Sequence, residues 1–204
     1  MGMEEIIATL GPISKRALGY AHVAHAGVFR KYNKNPYVVH PIRVTNRVHS
    51  FLEARYASVM GVEWDKFIDI AGAASLLHDT WEENELVTWS GLLSVFPESV
   101  VNLVREVSNV SKHYPYLSRK EKKKMDFEHL ANASILGKII KMADRGDNLL
   151  SMASKGAPHE KAEIYLQETE HLLDAIGDAD ANAKEFVLES ARYLKGFFGF
   201  SLPG

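Results

Sequence analysis

The stretch AGAASLLHDTWEEN, residues 71–84, indicates both how this chain folds and where its chemistry lies. It opens with a run of small and apolar residues, which predicts a helix that is packed on most of its sides. His78 and Asp79 follow directly, and Glu82 and Glu83 come one helical turn later. Residues four apart share a face of a continuous helix, so each glutamate would lie above one member of the pair. This grouping predicts metal-assisted hydrolysis.

Apolar residues recur at helical spacing along almost the whole chain, and strand-like alternation between hairpin turns is hard to find. We therefore predict an all-α protein. Ser14 is expected to cap a helix that runs to about Phe29, and a continuous helix is expected over 65–84. Two closing helices are expected over roughly 158–176 and 180–197. We find no internal repeat and no long linker.

Composition narrows the class of protein. The chain has 204 residues, 46% of them hydrophobic and 25% charged, as in an ordinary soluble globular protein. Its formal net charge of -2 argues against a protein that coats nucleic acid. The start lacks the pattern of a signal peptide, and no apolar run is long enough to span a membrane. We expect a cytoplasmic protein without membrane or nucleic-acid partners.

The absence of cysteine restricts the chemistry that the chain can perform. Disulfides, thiolate catalysis and cysteine-ligated metal sites are excluded, so histidine and carboxylate side chains must hold any metal. His40 precedes Pro41 at a predicted helix start, where it can also be a simple turn residue. Asp144 ends an apolar helical run, with Asn148 one turn further on the same face. The alternative role for this aspartate is a salt bridge to Lys141 or Arg145.

Three segments together resemble the hydrolase region of the RelA/SpoT alarmone enzymes, a branch of the HD-domain metal-dependent phosphohydrolases. They are VFRKYNKNPYVVHP (28–41), AASLLHDTWEEN (73–84) and KIIKMADRGDN (138–148), in that order. The resemblance covers a motif core of about 21–150. It implies an HD-domain helical bundle, with residues 1–204 forming a single domain.

The resemblance also implies an activity and a set of functional residues. The activity is removal of pyrophosphate from the 3′ position of guanosine 3′,5′-bis(diphosphate), ppGpp, or its pentaphosphate relative, with manganese as the usual metal. The matching positions are His40, His78, Asp79 and Asp144 as metal ligands, Glu82 and Glu83 at the attacking water, and Arg30, Lys31 and Asn148 at the nucleotide. The remainder of the chain is too short for an alarmone synthetase domain, so we expect a stand-alone hydrolase.

The chain departs from the family pattern at a few positions. Glu83 stands where the family usually has an aspartate, Val28 replaces a common glutamine, and Gly146 and Asp147 replace bulkier residues. Asp147 is expected to repel phosphate or bind metal. Two alternatives therefore stay open: a phosphatase acting on another nucleotide, such as NADPH or a deoxynucleotide, and an inactive nucleotide-binding module. The basic run at 119–124 is expected to be a solvated helix face, and homo-oligomerisation is left open.

Overall fold

The computed structural model describes residues 3–154 and 156–200. The remaining residues of the predicted 1–204 domain lie outside this description. Over the described residues the chain forms α-helices and two short 3-10 turns but no strand, which confirms the all-α prediction. The helices are α1 (Met3–Thr9), α2 (Pro12–Ala24), α3 (Val39–Met60), α4 (Trp64–Leu77), α5 (Thr80–Glu83), α6 (Trp89–Val95), α7 (Glu98–Val107), α8 (Arg119–Ala131), α9 (Ile135–Met152), α10 (His159–Ile176) and α11 (Ala181–Phe198). None of these helices is long and apolar enough to cross a membrane.

Two helices, α4 and α9, form the centre of the fold. The α4 helix packs against α2, α3 and α7, and α9 packs against α3, α7, α10 and α11. The small residues of α4 let its neighbours approach closely: a Cβ on Gly72 would lie 2.7 Å from both His49 Nε2 and Ser14 Oγ. Gly146 has the same use on α9, because a Cβ there would overlap the ring of Phe186 on α11. This contact accounts for the small residue at position 146.

The predicted start of α2 is wrong, because a residue from another helix caps it. The helix begins at Pro12 and ends at Ala24, short of the expected end. The Asp69 carboxylate accepts hydrogen bonds from the backbone N–H groups of Ile13 at 3.0 Å and Ser14 at 2.7 Å. The Ser14 hydroxyl instead donates to the Asp69 carbonyl at 2.8 Å. A cap from α4 thus replaces the local cap that the sequence predicts.

The predicted continuous helix over 65–84 is interrupted at His78 and Asp79, which separate α4 from α5. His78 Nδ1 donates to the carbonyl of Ser75 at 2.7 Å, and Thr80 Oγ1 donates to the carbonyl of Leu77 at 2.8 Å. These side-chain bonds compete with the backbone bonds of a continuing helix. One helical bond still crosses the break, because the Glu83 backbone N–H donates to the Asp79 carbonyl at 3.0 Å, so Glu83 remains one turn beyond Asp79 as predicted. His78 also stays inside the core, with 1% of its surface exposed.

Candidate active site

Four predicted metal ligands converge from three parts of the fold. His40 comes from the first turn of α3, His78 and Asp79 from the junction of α4 and α5, and Asp144 from α9. His40 Nε2 lies 3.3 Å from Asp79 Oδ2 and 3.1 Å from Asp144 Oδ1. His78 Nε2 lies 3.1 Å and 3.6 Å from the same two oxygens. One donor atom from each residue lies within 4.8 Å of the others, so the four can share one ion.

The hydrogen bonds of the two histidines fix which ring nitrogen is available. His78 Nδ1 donates to the carbonyl of Ser75, and His40 Nδ1 donates to Asp147 Oδ2 at 2.6 Å. Both Nε2 atoms are buried without a hydrogen-bond partner among the described residues. A buried polar atom without a partner is unfavourable unless something binds it. Two such nitrogens beside two carboxylates fit a divalent cation.

Carboxylates control the protonation of these histidines when no metal is bound. Burial by itself lowers the pKa of His40, but the surrounding carboxylates of Asp144, Asp147 and Asp79 outweigh it and raise the pKa to about 9. Burial likewise opposes the charge on His78, yet Asp79 and Asp144 raise its pKa to about 10. A metal ion would therefore compete with protons for the Nε2 positions.

The two oxygens of the Asp144 carboxylate have different neighbours. Its Oδ2 lies 3.2 Å from Lys141 Nζ, as in the predicted salt bridge, while its Oδ1 faces the two histidines. Burial would raise the pKa of Asp144, but the Lys141 ammonium and the histidines hold it well below its usual range. The carboxylate therefore stays ionised inside the protein, as a metal ligand must.

A cavity of about 730 Å³ opens beside these ligands, a volume that suits a nucleotide. Asp79 and Asp144 contribute to its wall. All of the other residues predicted for catalysis or nucleotide binding line it too, namely Glu82, Glu83, Arg30, Lys31 and Asn148. Further basic residues on the wall are Arg119, Lys123, Lys141, Arg145 and Lys161.

Two of the predicted nucleotide-binding residues are linked to the His/Asp cluster by hydrogen bonds. Arg30 Nη2 donates to Asn148 Oδ1, and Asn148 Nδ2 donates to Asp144 Oδ1. The Arg30 guanidinium also lies over the ring of Tyr37, 5.3 Å from its centroid. These contacts place a cation directly beside the ligand cluster. Lys31 lies further out, with its ammonium over the Tyr32 ring.

The two adjacent glutamates differ in what holds them. The Glu82 carboxylate accepts from the Asn109 backbone N–H at 2.8 Å and from the Asn109 side-chain amide. The Glu83 carboxylate has no hydrogen bond or ion pair among the described residues, and only the Glu83 backbone N–H is bonded, to the Asp79 carbonyl. Partial burial, and after it the charges of Asp79 and Glu82, raise the pKa of Glu83. The carboxylate of Glu83 is free to bind water, whereas that of Glu82 is fixed.

Tyr37 is a contributor that the sequence analysis did not assign. Its hydroxyl donates to Asp79 Oδ2 at 2.8 Å, and its ring stacks on His25 with centroids 4.6 Å apart. Burial lowers the pKa of His25 to about 4, so the stacked ring is neutral at physiological pH. The position of Tyr37 three residues before His40, in the quoted NPYVVHP segment, was the available signal.

The expectation that Asp147 repels phosphate or binds metal is not met. Its carboxylate lies on the Nδ1 side of His40, away from the Nε2 atom that faces the other ligands. It also accepts hydrogen bonds from Arg43 Nε at 2.6 Å and Arg43 Nη2 at 3.0 Å. With its charge paired in this way, Asp147 is 5% exposed and is not part of the cavity wall.

The basic run at 119–124 is only partly the solvated face that was predicted. Arg119 and Lys123 line the cavity. The Arg119 guanidinium binds both carboxylate oxygens of Glu168 on α10, at 2.7 Å and 3.0 Å. The packing of α8 against α10 brings this face to the cavity, a long-range contact that charge patterning alone does not reveal.

Known proteins resemble the chain in sequence and in structure, although no family model matches it. A Drosophila melanogaster protein named guanosine-3′,5′-bis(diphosphate) 3′-pyrophosphohydrolase MESH1 is 28% identical over 169 residues, which is 81% of this chain and 85% of that protein. The Danio rerio protein of the same name is 28% identical over 153 residues, 74% of this chain and 76% of that protein. A solved structure, described as a metazoan orthologue of SpoT that hydrolyses ppGpp and plays a role in starvation responses, superposes with a TM-score of 0.71 at 26% identity. The match covers 89% of this chain and 95% of the other. The chain is therefore a homologue of the MESH1 proteins with an HD-type helical fold, and this confirms the resemblance found in its sequence.

Proposed function

We propose that this protein is a metal-dependent phosphohydrolase that removes pyrophosphate from the 3′ position of ppGpp or its pentaphosphate relative, leaving GDP or GTP. One observation carries the proposal: two unpartnered imidazole nitrogens and two carboxylates meet beside a cavity of nucleotide size. The activity named for the MESH1 relatives supports the choice of substrate.

His40, His78, Asp79 and Asp144 would hold the metal, for which we propose manganese. Mixed imidazole and carboxylate donors suit Mn²⁺ and other hard or borderline divalent ions. Such an ion, when bound, polarises a phosphoryl oxygen and lowers the pKa of water towards neutrality. The Nδ1 hydrogen bonds of both histidines keep their Nε2 lone pairs directed at the cluster.

The other residues of the cavity would bind the substrate and move the proton. Glu83, whose carboxylate is free, accepts the proton of the attacking water. Glu82, held by Asn109, fixes the position of that water. Arg30 and Lys31 bind the phosphates and offset the negative charge that develops on them. Asn148 holds Arg30 in place and lines the nucleotide pocket.

We further propose that residues 1–204 act as one domain in the cytoplasm, with a small phosphorylated nucleotide as the ligand and no nucleic acid as a partner. The absence of cysteine fits a reducing compartment. The slightly negative net charge disfavours binding to nucleic acid.

Pyrophosphate release from ppGpp, measured with added Mn²⁺ and with a chelator, tests the proposal, with NADPH as a competing substrate. We expect manganese-dependent formation of GDP and pyrophosphate. His78→Ala and Asp79→Ala should lose metal binding and turnover together. Phosphate release from NADPH without any cleavage of ppGpp would show that ppGpp is not the substrate. Metal binding without turnover of any nucleotide would favour the inactive binding module.

A further inference from the structure

The two histidines of the cluster are supported by groups of different charge. His78 Nδ1 donates to the carbonyl of Ser75, a neutral acceptor, at 2.7 Å. His40 Nδ1 donates to the Asp147 carboxylate at 2.6 Å. A hydrogen bond to an ionised acceptor is shorter and stronger than one to a neutral acceptor. The support of His40 is therefore electrostatic as well as geometric.

Arg43 holds this carboxylate in place. Its Nε lies 2.6 Å from Asp147 Oδ1 and its Nη2 lies 3.0 Å from Asp147 Oδ2, a two-point contact between planar groups. His40 and Arg43 lie three residues apart on α3, so they share a face of that helix. The carboxylate comes from α9, and its Oδ2 accepts from both residues. One side chain on α9 thus fixes two side chains on α3.

We propose that Asp147 is a positioning residue for the metal centre: it keeps the proton of His40 on Nδ1, holds the ring in place and makes Nε2 a stronger metal donor. This inference rests on the metal-dependent function proposed above. Metal-bound histidines commonly donate their second N–H to a carboxylate, which sets the tautomer and raises ligand basicity. The His40 side chain is 0% exposed, so in the intact protein Asp147, and not water, accepts its Nδ1 proton.

Two substitutions of Asp147 distinguish the effect of its hydrogen-bond acceptor from the effect of its negative charge. A similar aspartate–arginine pair away from the cluster provides the control. Asp147→Asn keeps an acceptor oxygen of nearly the same shape without the charge, and Asp147→Ala removes both. The control is Asp180→Asn, because Asp180 is also a buried aspartate paired with a half-exposed arginine, Arg55, at 3.1 Å. Asp180 caps α11 through the N–H of Ala183 and does not belong to the metal cluster.

Mn²⁺ affinity, measured by titration calorimetry without nucleotide, is the first readout. Loss of a partner behind a metal ligand typically weakens metal binding about 10- to 100-fold, and we expect this for Asp147→Ala. Asp147→Asn should fall between that variant and the wild type. Asp180→Asn should lower the thermal unfolding midpoint but leave Mn²⁺ affinity unchanged. Circular dichroism checks that each variant is folded. If Asp147→Ala does not fold, the Mn²⁺ affinities of Asp147→Asn and Asp180→Asn are compared instead, and a loss in the first alone supports the inference.

The ring ¹⁵N spectrum of His40 in Zn²⁺-loaded protein is a readout that a purely structural role would not move. Nδ1 keeps its proton in every variant as long as Nε2 binds the metal, so the readout is the hydrogen bond of that proton. We expect a far-downfield Nδ1–H resonance in the wild type, a smaller downfield shift in Asp147→Asn, and the smallest shift with the fastest exchange in Asp147→Ala. An unchanged signal and unchanged Mn²⁺ affinity in Asp147→Ala would overturn the inference, even if the protein hydrolyses ppGpp. The wild-type protein could also fail to cleave ppGpp while the Asp147 variants bind Mn²⁺ more weakly than it does. That result would support the role of Asp147 and contradict only the proposed substrate.

Discussion

At the scale of single residues, the neighbouring carboxylates of Glu82 and Glu83 differ because only Glu82 is held by hydrogen bonds. Both oxygens of Glu82 are occupied by Asn109, and Glu83 faces the cavity without such a partner among the described residues. A general base needs a free lone pair within reach of water. The geometry therefore favours Glu83 for proton transfer, even though its side chain is one methylene longer than the aspartate usual in the family.

Glu83→Gln should lower kcat for ppGpp hydrolysis by about 10²-fold or more, the contribution typical of a general base. Glu82→Gln should also slow hydrolysis, but less, because it loosens one of two contacts to Asn109. Mn²⁺ affinity should be unchanged in both variants, since neither glutamate belongs to the cluster of metal ligands. Steady-state kinetics with calorimetry measures both quantities. A larger loss in Glu82→Gln than in Glu83→Gln would reverse the two roles.

Metal binding should release protons from the histidines. His40 and His78 have pKa values raised to about 9 and 10 in the metal-free protein, so both rings carry an extra proton at pH 7.5. Mn²⁺ must displace these protons, and its affinity should rise as the pH increases from 6 towards 9. Calorimetry in buffers of different ionisation enthalpy should give a release close to two protons at pH 7.5. A release near zero would show that the rings are already neutral without metal.

At the scale of helices, Asp69 joins α4 to the start of α2. Asp69→Ala would leave the N–H groups of Ile13 and Ser14 without acceptors in a buried region, at a cost of about 2 kcal/mol in the free energy of unfolding. Asp65→Ala is the matched control, because Asp65 lies exposed in the first turn of the same helix. Urea unfolding followed by circular dichroism measures the difference. Equal effects of the two substitutions would contradict the assigned cap.

These helices also show what the sequence can predict and what it cannot. Helical spacing of apolar residues is a local property, so the existence of α3, α8 and α9 was predictable. The cap on Ser14 comes from Asp69, 55 residues away, and no local rule identifies it. The break at His78 depends on competing side-chain bonds from this residue and from Thr80. The motifs contained all four residues of the His/Asp cluster, whereas the pairing of Asp147 with Arg43 depends on how α9 packs against α3.

At the scale of the whole molecule, the chain has a small negative net charge, but several of its basic side chains lie around one cavity. The chain carries a formal charge of -2, yet basic side chains from several elements line one cavity. Seven basic side chains and five carboxylates line this cavity, and an excess of positive charge in a concave site raises the local concentration of an anionic ligand. Binding of a polyphosphorylated nucleotide should therefore depend strongly on ionic strength, because salt screens these interactions.

Lys161→Gln tests this charge effect at the cavity wall. Lys161 lines the cavity from α10, while Lys184 on α11 is an exposed lysine that does not line it. Removing one charge near the phosphates should raise KM for ppGpp by roughly 3- to 10-fold, with kcat little changed. The same change at Lys184 should have no such effect, and the difference between the two variants should shrink as salt is added, because screening removes what Lys161 contributes. Kinetics at low and high ionic strength measures this. A KM for Lys161→Gln equal to that of Lys184→Gln at low salt would show that the nucleotide does not extend towards α10.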